Sequence, residues 1–332
     1  MKLSVCIPTR NRSKTLSDTL DSALSQNFKN LEIVVVDGAS EDNTEDIINK
    51  YKKKYKNIIY YKRSKCVGVD KDILKSIEIA SSKYCWLMSD DDHFQKNSFI
   101  FVEQYLEKNP NLSGLTTNYQ QFDKNLSFPI KTVPAIIGNK KSENLFFDNP
   151  EKCFSTLGFH MGFLSCQIIN REIWLKTIKD IDIKSFQNNW LMVFIIGNMI
   201  NKENPWGYLH KIMINQRTGN DSFAQSGVYE RELITHQYFA DILENLFGKN
   251  SLVHKKIFHF FNVERLPRIF ANLKSQNISF EIQLKLLSLY LRKYKKYLPF
   301  WVNVFPLFLI PNRVFTLVKK IYFNYRSKKS LL

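Results

Sequence analysis

The chain predicts an α/β fold: a mostly parallel sheet covered on both faces by helices, with a C-terminal helical extension. Three observations predict it. Short apolar, β-branched runs recur through the N-terminal part of the chain. Helix-period segments separate each run from the next. Polar residues gather directly after the runs, where open parallel sheets bind their ligands.

The first run is Leu3-Ser4-Val5-Cys6-Ile7-Pro8. Ser13 is then a candidate N-cap, and Leu16, Leu20, Ala23 and Leu24 recur on one helical face. A second run, Leu31 to Val36, precedes a helix over Thr44 to Tyr55, whose Lys52-Lys53-Lys54 reads as a solvated face. A third run, Asn57 to Tyr61, precedes a helix over Lys71 to Ser82, and Tyr84-Cys85-Trp86-Leu87-Met88 is the fourth strand. Parallel pairing of these strands brings their carboxyl ends together. One crevice then collects Pro8-Thr9-Arg10-Asn11-Arg12, the segment Asp37 to Thr44, and Ser89-Asp90-Asp91-Asp92.

The acidic triplet is the most informative of these. Carboxylates crowded this closely repel unless a cation or a ring of hydrogen-bond donors neutralises them, and all-oxygen ligation suits Mg²⁺ or Mn²⁺. Standing alone, the triplet reads more readily as a solvated acidic turn, and its place at the end of a strand is what favours the site.

The order and spacing of Val5-Cys6-Ile7-Pro8-Thr9-Arg10-Asn11-Arg12, Glu32 to Thr44, Gly68, Ala80 and Trp86 to Asp92 resemble glycosyltransferase family 2. The resemblance covers residues 1 to about 120 well and continues loosely to about 225. Arg217-Thr218-Gly219-Asn220-Asp221-Ser222-Phe223 is similar to the end of the catalytic region in the abequosyltransferase-like branch, which builds bacterial surface polysaccharides. The resemblance implies a GT-A fold, with a Rossmann-like, mostly parallel sheet, and a metal-dependent hexosyl- or deoxyhexosyltransferase. The expected division is a nucleotide-sugar-binding half (1–122), an acceptor-binding half (123–225) and, beyond the resemblance, a C-terminal helical, basic amphipathic extension (226–332). Pro8, Thr9, Arg10, Asn11 and Asp37 would hold the base and ribose. Asp90 would contact ribose or metal, Asp91 would face the donor, and Asp92 would bind Mg²⁺ or Mn²⁺ against the diphosphate. Asp70 is either a further donor contact or a helix N-cap.

One departure matters for the acceptor. Many inverting members carry an acidic pair ahead of an aromatic residue, and one of its carboxylates takes the acceptor proton. Here that place reads Gln187-Asn188-Asn189-Trp190, and an amide cannot accept a proton near neutral pH. The general base must come from elsewhere: Asp180, Asp182 and Asp221 are candidates, Asp182 and Asp221 first among them, and His160 and His210 are weaker ones. The same departure keeps open a nucleotide-sugar-binding protein whose transferase activity is lost or different.

Five cysteines, scattered and mostly within apolar runs, read as reduced core residues, and Met1-Lys2-Leu3 leads straight into the first strand, so the expected compartment is the cytoplasm. The net charge of +17 is concentrated at the end: residues 282–332 carry 11 Lys or Arg and no Asp or Glu. Leu284, Leu287, Leu291 and Tyr294 share a helical face there, Phe300 to Pro311 is apolar but broken by prolines, and Val314 to Tyr325 gives another basic amphipathic segment. That stretch is too short for the roughly 20 residues that span a bilayer. The expectation is an extension lying on an anionic membrane surface, where the acceptor, a glycan or an isoprenoid-diphosphate-linked glycan, would be met. The alternative is a helical subdomain packed with its charges outward. Nucleic acid is not expected as a partner, because the basic residues are interleaved with an apolar, proline-broken tail and no recognition motif is present.

Overall fold

β1 (Leu3–Thr9) is buried along its whole length, and the sheet is laid down around it in this computed structural model, which describes residues 2–130, 143–220, 227–276, 278–312 and 314–315. β2 (Leu31–Asp37) and β4 (Tyr84–Leu87) flank β1 in parallel, and β3 (Ile58–Lys62) continues outward from β2 in parallel. The register sets Thr9 opposite Asp37, so the first two strand ends open at one level. Connecting helices α1 (Ser13–Leu24), α2 (Thr44–Lys54) and α3 (Val69–Ile79) make the βαβ crossovers. Leu16, Leu20 and Ala23 of α1 bury against Leu3, Val5 and Ile7 of β1 and Ile33 and Val35 of β2 in one apolar cluster.

Beyond β4 the sheet changes character. β5 (His93–Phe94), α4 (Ser98–Lys108), β6 (Gly114–Phe122), β7 (Leu145–Phe147), α5 (Pro150–Leu157), β8 (Gln167–Asn170), α6 (Arg171–Asp180), α7 (Leu191–Met199) and β9 (Trp206–Arg217) follow in order. Among the described residues the strand order is β3-β2-β1-β4-β8-β6-β9-β5, with β7 also paired to β9. β8 is antiparallel to both β4 and β6, and β6 is parallel to β9. The turn before β8 and the ends of β6 and β9 therefore reach the same rim as the ends of β1, β2 and β4. Residues on both sides of position 122 share this one sheet.

Three sequence expectations shift locally. Ser13 is the first residue of α1, not its cap, and its amide is taken by the Asp42 carboxylate at 3.0 Å. α3 starts at Val69, directly after Gly68 in the left-handed region, and ends at Ile79. In α12 (Phe280–Tyr294) the buried stripe is Gln283, Leu286, Leu289, Tyr290 and Tyr294, so Leu284 stands out at 50% exposure.

The chain folds as two compact units, Met1–Ser222 and Phe223–Leu332. The second unit is helical: α8 (Val228–Leu233), α9 (Phe239–Phe247), α10 (Leu252–Phe260), α11 (Leu266–Ser275), α12 and α13 (Phe305–Leu309), with π turns at 234–238, 261–265 and 300–304. Phe239, Phe258, Phe261, Phe270, Tyr290 and Tyr294 fill its core. A buried polar knot stitches it: Tyr290 donates to Glu232 at 2.8 Å, and His236 lies 2.7 Å from the Tyr294 hydroxyl. Phe300 and Val304 are fully buried, so the apolar stretch after Tyr297 is partly core. Leu298, Trp301, Val302 and Leu309 are exposed. The segment from 316 to 332, with most of the last amphipathic pattern, lies outside the described residues. Among the described residues no helix is long and apolar enough to cross a membrane. Cys6, Cys85, Cys153 and Cys166 are buried thiols and Cys66 is exposed, all free.

Candidate active site

The first two strand-end loops are latched to each other. Asn11 adopts φ 54°, a conformation Asn tolerates better than most residues, which turns its backbone amide to Ser40 Oγ at 2.9 Å and its side-chain oxygen to the Glu41 amide at 2.8 Å. Pro8 stays within β1 opposite Val36, and Arg10 is exposed at the rim. Thr9 is buried, and its hydroxyl faces the Asp90 carboxyl.

Asp37 closes β2 fully buried, with Oδ1 accepting from the Ser40 amide and Oδ2 from the Tyr60 hydroxyl, each at 2.7 Å. Burial, together with that bond to Asp37, raises the Tyr60 phenol well above its ordinary value, so it stays a donor. Beside Asp37, a Cβ on Gly38 would lie 2.7 Å from Asp72 Oδ2. Glycine is what lets Asp72 of α3 approach the strand end, where it pairs with Arg63. Arg63, Asp72 and Tyr60 were not singled out from the sequence. The signal was there in part, since Arg63 follows β3 as the polar loops follow β1 and β2.

Asp90, Asp91 and Asp92 leave β4 into the same crevice, all buried. Asp92 Oδ1 accepts from the Arg217 amide at 2.9 Å and Oδ2 from the Ser165 hydroxyl at 2.5 Å, while its carbonyl receives the Thr19 hydroxyl at 2.8 Å. Asp91 accepts from Asn220 Nδ2 at 3.0 Å, and Arg12 donates to Asn220 Oδ1 at 2.5 Å and to its carbonyl at 2.9 Å. Arg12 lies 3.9 Å from Asp90. Arg217 spreads its guanidinium over the Asp91 carbonyl, the Lys124 carbonyl and Asp18. The end of β9 is therefore tied to the acidic turn. Ser165, from the turn before β8, is a contact that no local pattern announced.

The charge state of this turn follows from its burial. Desolvation, and next the charge of Asp91, push Asp90 up to about 7 and Asp92 up to about 8. A buried site with this excess of negative charge favours a cation. Among the described residues no three His, Cys, Asp or Glu side chains form a metal cage. Mg²⁺ does not need one, since one or two carboxylates and the substrate's own phosphates suffice. The donor set is all oxygen, and each Asp92 oxygen keeps a second lone pair beside its one hydrogen bond, so the residues fit a hard divalent ion.

The expected acceptor side lies at α7. Trp190 packs on Phe159 with ring centres 5.1 Å apart, and Gly162 sits so close beneath it that a Cβ there would fall 2.0 Å from the indole. Asn188 and Asn189 form the turn into α7, with Asn189 at φ 70°. Asp70 is found here. It does not cap its own helix: its Oδ2 accepts from the Asn189 amide at 2.8 Å, and burial raises it to about 6. Asp182 is exposed, and bonds from the Ser185 hydroxyl and Lys184 amide lower its value. Asp180 is exposed at the end of α6, and Asp221 lies outside the described residues. Burial drives His160 down to about 4, with its Nε2 held 2.9 Å from the Thr117 carbonyl. His210 lies midway along β9.

The family model for glycosyl transferase family 2 matches residues 4–173, the span that carries Thr9, Asp37, Asp70 and the acidic turn. The chain belongs to glycosyl transferase family 2. This family 2 glycosyltransferase is 27% identical over 297 residues to abequosyltransferase RfbV of Salmonella typhimurium, covering 82% of this chain and 83% of RfbV. It is 33% identical over 127 residues to the UDP-Glc:alpha-D-GlcNAc-diphosphoundecaprenol beta-1,3-glucosyltransferase WfaP of Escherichia coli, covering 34% of this chain and 50% of WfaP. The fold matches the crystal structure of S. aureus TarS 1–349 in complex with UDP-GlcNAc with a TM-score of 0.58 at 17% identity, over 90% of this chain and 89% of that one. This is the GT-A architecture, a mixed sheet whose parallel strands open at one rim.

Proposed function

We propose that this glycosyltransferase moves a sugar from a nucleotide-sugar donor to a hydroxyl of a lipid-linked or polysaccharide acceptor in bacterial surface-glycan synthesis, with Mg²⁺ or Mn²⁺ at the donor diphosphate. One observation carries the reading: Thr9, Asp37, Arg12 and the Asp90 to Asp92 turn meet at one rim of the sheet, where burial and the crowding of the three acids raise the Asp90 and Asp92 carboxyls. Asp37 and the loop from Pro8 to Asn11 bind the base and ribose. Asp90 and Asp92 would hold the ion, which as a Lewis acid would supply stabilisation for the charge developing on the leaving diphosphate. Arg12, already carried between Asp90 and Asn220, is placed to meet the same phosphates.

The acceptor class is supported by relatives: WfaP's name specifies an undecaprenol-diphosphate acceptor, and RfbV transfers abequose. An extension with exposed Leu298, Trp301, Val302 and Leu309 beside exposed Lys295 and Lys296 suits an anionic leaflet on which such an acceptor sits. The deciding experiment incubates the purified chain with UDP-, CDP-, GDP- and dTDP-linked sugars and Mn²⁺, with and without bacterial membrane extract, and follows free nucleoside diphosphate. Turnover of one donor, stimulated by extract and abolished by chelator, is the expected result. Consumption of no donor under any of these conditions would overturn the reading.

A further inference from the structure

Sugar transfer to a hydroxyl requires that the hydroxyl give up its proton as its oxygen attacks, and an enzyme holds a group to take it. Asn188 and Asn189 cannot. Of the other acids and histidines considered, Asp182 faces solvent with its carboxylate occupied by its own turn, and His160 is held against a carbonyl with its proton affinity suppressed.

Asp70 is buried, and burial raises its proton affinity rather than suppressing it. It stands in the first turn of α3, at the carboxyl rim of the sheet. Residues two apart on a helix do not share a face, so Asp72 turns toward Gly38 and the donor side while Asp70 turns toward α7. Its carboxylate enters the turn made by Asn188 and Asn189, accepting the Asn189 amide at 2.8 Å, with the amides of Asn188 and Leu191 adding to the hold. Those three amides favour its charged form, and burial outweighs them. Trp190, the residue that follows this turn, is seated on Gly162.

We propose that Asp70 is the proton acceptor of sugar transfer, supplying from α3 the carboxylate that the Asn188-Asn189 turn lacks. In the step, the acceptor O–H bond breaks and its proton passes to the Asp70 carboxylate. The acceptor oxygen bonds to the anomeric carbon, and the bond from that carbon to the diphosphate oxygen breaks with its electron pair leaving on the nucleoside diphosphate. Asp70 then releases the proton to water. Burial leaves Asp70 ionised above about pH 6, matched to a base working near neutrality.

The proposal rests on the donor-site reading above, and the test separates the two. With the donor that the wild type consumes and extracted lipid-linked glycan as acceptor, Asp70→Asn is expected to lose at least about 100-fold in kcat while donor KM stays within about twofold, because general-base removal costs about 10²- to 10⁴-fold and the Asn oxygen still accepts the Asn189 amide. The wild-type rate should fall as pH drops through about 6. Formate should restore at least about tenfold of the rate lost in Asp70→Ala, as a small carboxylate entering the vacated space. Asp70→Asn transferring within about threefold of wild type would overturn the assignment and leave Asp70 as a clamp on α7. If Asp70→Asn does not fold, failure of formate to rescue Asp70→Ala overturns it equally. A wild-type chain that consumes no donor overturns the donor-site reading and this one with it.

Discussion

Asp92→Asn separates two consequences of one buried carboxylate. As a piece of structure the amide is nearly equivalent: its oxygen can accept the Arg217 amide and its nitrogen can donate to Ser165 Oγ, the two partners that Asp92 has now. As a charge it is not. Burial and the neighbouring Asp91 hold Asp92 at about 8, against an ordinary carboxylate value of 3.8. The folded chain thus binds more protons than the unfolded chain between these values, so this group makes stability fall as pH rises from about 4 to about 8. At pH 7 the mismatch spans roughly three units at about 1.4 kcal/mol each, so without metal the charge costs on the order of 2–4 kcal/mol. The metal-free Asn variant is expected to be more stable than wild type at pH 7 by about 2 kcal/mol, with the gain shrinking toward pH 4. Transfer should drop by orders of magnitude, because a neutral ligand holds a divalent ion weakly. Guanidinium denaturation at pH 5 and pH 7, with and without Mn²⁺, measures the first; donor turnover measures the second. A wild type more stable than the variant at pH 7 without metal would refute the charge argument. Wild-type turnover in the variant, or full wild-type activity in excess chelator, would refute the metal role.

Asp37→Ala should weaken nucleotide-sugar binding by about 1.5–3 kcal/mol, the cost of losing a hydrogen bond to a charged group, and unchanged affinity by calorimetry would reduce Asp37 to a partner of Tyr60 and Ser40. Gly162→Ala places a methyl group into the Trp190 ring and is expected to destabilise the first unit by about 1–3 kcal/mol; an unchanged denaturation midpoint would show that the turn slides freely. Leu298→Glu with Val302→Glu changes two side chains that are 74% and 64% exposed, so folding should be spared while flotation on anionic liposomes at low salt is lost. If the unchanged chain ignores such liposomes, the outward apolar residues of the extension have another purpose.

β1, β2 and β4 were legible because each is buried on both faces and so reads as an unbroken apolar run. β6 and β9 were not. β6 carries Thr116, Thr117, Asn118, Gln120 and Gln121, and β9 carries His210, Lys211, Asn215 and Gln216. These polar strands are held by pairing with each other, with a register shift around Asn118, and no local period encodes that. α12 shows the complementary failure. Leucines occupy more than one side of it, so the sequence identified a helix without deciding its buried face; Tyr290 and Tyr294, bonded to Glu232 and His236, decided it.

The site divides along the same line. Asp37 and Asp90 to Asp92 announce themselves because each sits at the end of a strand that the sequence reveals, and adjacency in the chain is enough to place them. Ser165 reaches Asp92 across 73 residues, and Asp70 reaches Asn189 across 119. Their roles exist only after β8 has turned back beside β4 and α7 has packed near α3. The donor loops are local features of consecutive βα units, so a short motif specifies them. The acceptor side is assembled from turns distant in sequence. A carboxylate absent at Asn188 and Asn189 can therefore be supplied from α3 without a recognisable local motif. What has to be kept is the meeting of a buried carboxylate with the turn into α7, and that is the feature Asp70 supplies.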